Sequence, residues 1–153
     1  MTPGDRLPDL TLPATGGHGI RLRELAGTPL VLYFYPKDST PGCTRQALDF
    51  AAARERFAAA GVRVIGVSRD SVASHERFRA KQQLDFDLLA DTDETMCRLF
   101  DVIKEKSMYG RKVMGIERST FLFDAAGILV QSWRGLKVPG HVDTVLTAAE
   151  ALA

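Results

Sequence analysis

Cysteine is scarce in this 153-residue chain, which carries only Cys43 and Cys97. Two are too few for a disulfide framework, and their spacing fits no zinc pattern, so a functional cysteine here acts as a thiol. Charge of one sign is also missing. Lys and Arg total 20 against 19 Asp and Glu, scattered along the chain for a net +1, which argues against a nucleic-acid or anionic-membrane partner. The longest apolar run, Leu30 to Tyr35, is six residues, where a membrane-spanning helix needs about 20. The first residues, Met1-Thr2-Pro3-Gly4-Asp5-Arg6, lack the basic-then-apolar order of a secretory leader, so a cytoplasmic, reducing compartment is expected. No internal repeat, glycine-rich phosphate loop or Pro/Gly linker interrupts the chain, and residues 1–153 are expected to form one domain. The three histidines, His18, His75 and His141, share no helical-face spacing. They give no metal site and no Cys-His pair, and most are expected in solvent.

What is present is a regular alternation of elements. Short alternating stretches, Asp9-Leu10-Thr11-Leu12 and Gly19-Ile20-Arg21-Leu22, flank Thr15-Gly16-Gly17 and predict a small hairpin capping one end of a sheet. Leu30-Val31-Leu32-Tyr33-Phe34-Tyr35 and Val62-Arg63-Val64-Ile65-Gly66-Val67 are rich in β-branched and aromatic residues, the composition of buried parallel strands. Between them, Pro41 sits at a first helical position and Gly61 at a stop. One long helix over residues 41 to about 60 is predicted, with Cys43, Ala47, Phe50, Ala51, Phe57 and Ala58 on its buried face. A cap region at 68–70 opens a second helix from 71 to about 83. A short strand at 87–90 follows, then a helix capped by Asp91-Thr92-Asp93 and ending near Phe100. Residues 102–117 show no clean period and read as loop with some extended structure, a wet surface of Lys104-Glu105-Lys106 and Arg111-Lys112. A hairpin, 119–123 and 128–133, and a last helix from His141 to about Ala151 close the chain. The order β-α-β-α-β-α-β-β-α predicts a thioredoxin-like α/β three-layer sandwich with an N-terminal β-hairpin.

A helix that starts directly after a central strand offers free backbone N–H groups and a partial positive charge at the sheet's carboxyl edge. Cys43 falls in the first turn of such a helix, where its thiolate is favoured, more so beside an arginine. By helix position alone it reads equally as a small buried hydrophobe.

The residues ahead of Cys43 add to this. Pro36, Thr40 and Cys43 satisfy the pattern Pro-x-x-x-Thr-x-x-Cys, and the string Tyr33-Phe34-Tyr35-Pro36-Lys37-Asp38-Ser39-Thr40-Pro41-Gly42-Cys43-Thr44 resembles the peroxiredoxins, in particular their bacterioferritin comigratory protein, or peroxiredoxin Q, branch. The resemblance continues through Gly66-Val67-Ser68, Leu89-Ala90-Asp91 and Arg118-Ser119-Thr120-Phe121-Leu122. It implies a thiol peroxidase without a cofactor, reducing hydrogen peroxide and organic hydroperoxides. Cys43 would be the nucleophile, Thr40 and Arg118 would orient the peroxide, and Pro36 would shield the sulfur. The chemistry suits those residue types. Thiolate attack breaks the O–O bond and places negative charge on the leaving oxygen, which the N–H groups near Gly42 and Cys43, the Thr40 hydroxyl and the Arg118 guanidinium can meet. Each has a plainer reading: Arg118 as a surface ion pair beside Glu117, and Thr40 as a helix cap.

The chain departs from the branch at its second sulfur. Many members carry a resolving cysteine five residues after the first, where this chain has Leu48; others carry it in the next helix, where Arg79 stands. Cys97 remains as the alternative, although Met96, Leu99 and Phe100 around it mark a packed helix face. The resemblance therefore implies a one-cysteine cycle in a monomer, with glutathione, a glutaredoxin or thioredoxin as reductant. Two rivals stand beside it. A thioredoxin-type disulfide reductase needs Cys-x-x-Cys, and Thr40 occupies the required place. A non-catalytic binding or chaperone-like module would leave Cys43 with an ordinary thiol.

Overall fold

The computed structural model describes residues 1–152. Two short antiparallel strands, β1 (Thr11–Leu12) and β2 (Ile20–Arg21), make the N-terminal hairpin, followed by a 3₁₀ turn at Leu22–Leu25. The central sheet is built from β3 (Leu30–Phe34), β4 (Arg63–Ser68), β5 (Leu88–Ala90), β8 (Ser119–Phe123) and β9 (Leu129–Arg134), in the order β5-β4-β3-β8-β9. β3, β4 and β5 run parallel, whereas β8 and β9 are antiparallel to their neighbours. This is the thioredoxin-like arrangement that the element order predicts.

Side chains alternate across β3 and divide the core in two. Leu30, Leu32 and Phe34 face the N-terminal hairpin, the 3₁₀ turn and helix α4 (Thr95–Leu99). Val31, Tyr33 and the following Tyr35 face helices α1 (Pro41–Ala52), α2 (Arg54–Ala59), α3 (Val72–Gln82) and α5 (His141–Glu150). Gly66 on β4 has a steric reason to be glycine: a Cβ there would lie 2.9 Å from Cζ of Tyr33 and 2.8 Å from Cδ2 of Leu88.

Two expectations are corrected. The long helix over 41–60 is broken at Ala53, whose backbone (φ −94°, ψ 7°) leaves the helical region and ends α1. The break resets the helical phase. Phe57 stays buried, stacked obliquely 5.9 Å from Phe50, while Ala58 turns out to solvent. The stretch 102–117 is a regular hairpin, β6 (Ile103–Met108) with β7 (Arg111–Ile116), paired in antiparallel register over six positions. Its turn residues Tyr109 (φ 52°) and Gly110 (φ 76°) have the two positive φ values of a type I′ turn. The hairpin stands largely in solvent, so no apolar alternation marks it in the sequence.

Candidate active site

The end of β3 delivers the chain into a loop, Tyr35 to Thr40, and then into α1. Ser39 takes a left-handed backbone (φ 62°), turning the loop so that Thr40 occupies the N-cap position. The Thr40 side chain makes no cap bond; its hydroxyl donates to the Lys37 carbonyl at 2.8 Å. Thr44 returns its N–H to the Thr40 carbonyl, so the N–H groups of Gly42 and Cys43 precede the first intrahelical bond and remain free to bind. Cys43 is 2% exposed. Pro36, half-buried, opens the loop.

Arg118 arrives from the far side of the sheet sequence, just before β8. Its Nη2 donates to Cys43 Sγ at 3.5 Å and its Nη1 to Gln46 Oε1 at 2.6 Å. Glu117 takes no part in an ion pair with it among the described residues, so Arg118 is not the surface pair its neighbour suggests. Gly42 makes room for the guanidinium, because a Cβ there would come within 3.2 Å of Nη2. Gln46 is fully buried, and its Nε2 has no partner among the described residues. No motif singles out Gln46, yet it carries a readable signal, a polar residue one helical turn after Cys43 on an otherwise apolar face. The Tyr33 hydroxyl is likewise buried without a partner, and burial, then the nearby Cys43 charge, push its pKa well up.

Residues 3–132 match the AhpC/TSA family. Peroxiredoxin Bcp of Xanthomonas campestris pv. campestris is 58% identical over 145 residues, covering 95% of this chain and 91% of that protein. Peroxiredoxin Bcp of Bacillus subtilis is 46% identical over 143 residues, covering 94% and 91%. A structure of the Xanthomonas campestris bacterioferritin comigratory protein, from work on its alkyl peroxide reduction, superimposes with a TM-score of 0.91 at 55% identity over 98% of both chains. A Cys-to-Ser variant of Xylella fastidiosa PrxQ gives 0.93 at 45% identity, over 99% and 96%. The chain belongs to the AhpC/TSA family, in its peroxiredoxin Bcp/PrxQ branch. As such a peroxiredoxin it is an oxidoreductase, a thiol-dependent peroxidase that works through a cysteine sulfenic acid.

Two of this peroxiredoxin's three histidines are buried, correcting the expectation that most are solvated. His141 opens α5 with its Nε2 2.8 Å from the Thr120 hydroxyl and its ring edge-on to Trp133. Burial, then the charge of Arg118, lower its pKa from 6.5 to about 4, so the ring stays neutral beside the guanidinium. The unfolded chain takes up this proton near 6.5 and the folded one only near 4. Stability from this group is therefore complete above 6.5 and is lost as pH falls towards 4. The full shift corresponds to on the order of 3 kcal/mol. Urea midpoints measured across that range should fall on acidification, and His141→Gln should flatten the fall; an unchanged slope would remove His141 as its source.

His75 is fully buried on α3. With Asp38 and Asp70 it brings three potential ligand atoms within 4.8 Å of one another, a grouping absent from any linear spacing pattern. All three residues are already hydrogen-bonded: His75 Nδ1 lies 2.7 Å from Asp38 Oδ2, and Asp70 Oδ2 accepts from the Asp38 N–H at 2.9 Å.

Cys97 lies in α4, packed with Met96 and Phe100 in the core on the opposite face of the sheet from Cys43. The buried Asp91 carboxylate accepts the N–H of Met96 at 3.1 Å and of Cys97 at 2.7 Å, fixing the start of this helix. Burial, then the hydrogen bond to Asp91, push the Cys97 thiol well above the ordinary range. Both cysteines are free, and they lie in separate core clusters with the central sheet between them, an arrangement unsuited to the Cα separation of about 7 Å that a disulfide needs. At the two places where the resemblance leads a second sulfur to be expected, Leu48 is 40% exposed on α1 and Arg79 on α3 donates to the Phe86 carbonyl at 3.0 Å.

Proposed function

We propose that Cys43 is the peroxide-reducing residue, that Thr40, Gly42 and Arg118 bind and polarise the peroxide with Pro36 shielding the sulfur, and that an external thiol completes a one-cysteine cycle. The observation that carries this is the Arg118 Nη2 contact to Cys43 Sγ at the open first turn of α1. The Cys43 thiolate attacks the terminal oxygen of ROOH. A sulfur–oxygen bond forms as the O–O bond breaks, leaving Cys43–SOH and an alkoxide that takes up a proton to give ROH. The guanidinium and the free N–H groups of Gly42 and Cys43 face the growing negative charge without rearranging. The Thr40 hydroxyl donates its hydrogen to Lys37 and so offers its lone pairs to the peroxide O–H.

The sulfenic acid then needs a thiol. One external thiol displaces water to form a mixed disulfide, and a second releases Cys43 as thiol and leaves as a disulfide. Separation of Cys43 and Cys97 by the sheet supports an external reductant, for which glutathione, a glutaredoxin or thioredoxin qualify by chemistry. The alkyl peroxide activity named for the Xanthomonas campestris relative supports organic hydroperoxides beside hydrogen peroxide. No described helix is long and apolar enough to cross a membrane, and we place the protein in the cytoplasm as a single domain.

Mass spectrometry after one equivalent of peroxide tests the cycle. The parent and Cys97→Ser should both gain one oxygen at Cys43, and excess peroxide without thiol should carry both on to sulfinic acid. A loss of two hydrogens in the parent, absent from Cys97→Ser, would instead make Cys97 the resolving residue.

A further inference from the structure

The loop that carries Thr40 is tied down at one residue, Asp38. Its carboxylate is 5% exposed as part of the residue and accepts from three side chains: the Tyr35 hydroxyl on Oδ1 at 2.6 Å, and the Ser74 hydroxyl and His75 Nδ1 on Oδ2 at 2.8 and 2.7 Å. Its own N–H donates to Asp70 Oδ2, which also accepts the Ser68 hydroxyl. On the other side of the imidazole, Nε2 lies 2.9 Å from the Leu89 carbonyl on β5. A carbonyl only accepts, so Nε2 carries a hydrogen. A bare Nδ1 and a bare carboxylate would then repel across 2.7 Å, so a proton occupies that contact too.

From these contacts we propose that Asp38 and His75 are positioning residues for the peroxide reaction, a buried clamp that fixes the Thr40 hydroxyl through the intervening Lys37 carbonyl. The clamp rests on the assignment of Cys43 as nucleophile. Its linkage is short. His75 is held by α3 and by β5; Asp38 is held by His75; Lys37, one residue back, presents the carbonyl that receives the Thr40 hydrogen. The left-handed turn at Ser39 lies between the two and has no side-chain bond of its own among those described. Burial opposes the charge of Asp38, yet the hydrogen bonds from His75, Tyr35 and Ser74 outweigh it and hold its carboxyl below the usual range. The same three bonds already engage both Asp38 oxygens and His75 Nδ1, which favours a clamp over a metal site.

A clamp of this kind affects a peroxide and an alkylating agent differently. Iodoacetamide needs only the Cys43 sulfur, whereas peroxide also needs Thr40 in place. Cys43 sulfenate formation and Cys43 alkylation are therefore measured side by side by mass spectrometry on the full chain. Asp38→Ala should slow peroxide by about tenfold or more, as expected for a displaced transition-state contact, while iodoacetamide stays within about twofold. Tyr35→Phe removes one hydroxyl without changing the packing volume and should shift the same ratio in the same direction, which keeps the test intact if Asp38→Ala does not fold. Asp38→Asn should recover most of the rate, because an amide can donate to a neutral Nδ1 and still accept from Tyr35. A low-field exchangeable proton at the Asp38–His75 contact should be visible by NMR in the parent and absent in Asp38→Ala. Equal slowing of both reagents, or an unchanged peroxide rate in both Asp38→Ala and Tyr35→Phe, would overturn the clamp and leave Cys43 as nucleophile untouched. A parent that forms no sulfenate at Cys43 would overturn both.

Discussion

Cys43→Ser should abolish peroxide turnover while the protein still folds and melts as the parent does. The substitution trades a sulfur for an oxygen at a site that is 2% exposed, with almost no change of volume, and the new hydroxyl can accept the Arg118 hydrogen that Sγ now receives. What disappears is the nucleophile. A serine hydroxyl is a weak nucleophile unless an adjacent base activates it, and the side chains around position 43 are a guanidinium and a carboxamide. Cys97 is unable to substitute, since it is buried in the other half of the core and its thiol is held protonated. The measurement is peroxide consumption in the presence of a thiol reductant, with circular dichroism to verify folding. Turnover equal to the parent in a folded Cys43→Ser protein would remove Cys43 from the mechanism. It would also return the non-catalytic module as the reading of this site.

Much of this site is legible in the chain because it is local. Pro41 at a helix start, Thr40 before it and Cys43 in the first turn lie within four residues, and the strand Leu30–Phe34 that positions them is a dense run of buried types. The five-stranded sheet follows from the same kind of signal, since β-branched runs bounded by turn residues mark buried strands whatever their neighbours. Three things were out of reach, each for a physical reason. The break falls at Ala53, between α1 and α2, where alanine, the strongest helix former, locally favours continuation. The β6–β7 hairpin is buried only at its base, where Gly115 and Ile116 lie, so its six-residue strands leave no period to read. Most telling are the partners separated by 72 positions, Gln46 with Arg118, and by 37, Asp38 with His75. Polar residues that satisfy one another in a core carry no marker in their own neighbourhoods. A lone histidine on a largely polar helix such as α3 is therefore as ready to be a buried clamp as a solvated side chain. Arg118 itself was assigned through resemblance, because beside Glu117 its local context points outward; the structure turns it inward by opening a path over the bare backbone of Gly42.

Arg118→Met should lower the second-order rate constant for peroxide by on the order of 10²-fold, the scale on which one preformed transition-state donor acts. Methionine keeps much of the apolar stem but is shorter and offers no hydrogen. The Nη2 that points at Sγ and the Nη1 that holds Gln46 vanish together. Gln46 Nε2 is already unpartnered and buried, so the substitution leaves both ends of that carboxamide unsatisfied and should also cost about 1–3 kcal/mol of stability. Rate and stability are separable by a second substitution. Gln46→Leu removes the orphaned group and keeps the guanidinium, so the protein should be no less stable than Arg118→Met while retaining far more activity. Arg118→Lys is expected between the two, because a lysine keeps the charge but has one ammonium where the guanidinium bridges sulfur and carboxamide at once. Stopped-flow measurement of Cys43 oxidation for the parent and the three variants decides the matter. If Arg118→Met stays within about twofold of the parent, smaller than the loss of any single such donor, the contact to Cys43 is packing and the leaving oxygen is stabilised by the α1 N–H groups alone.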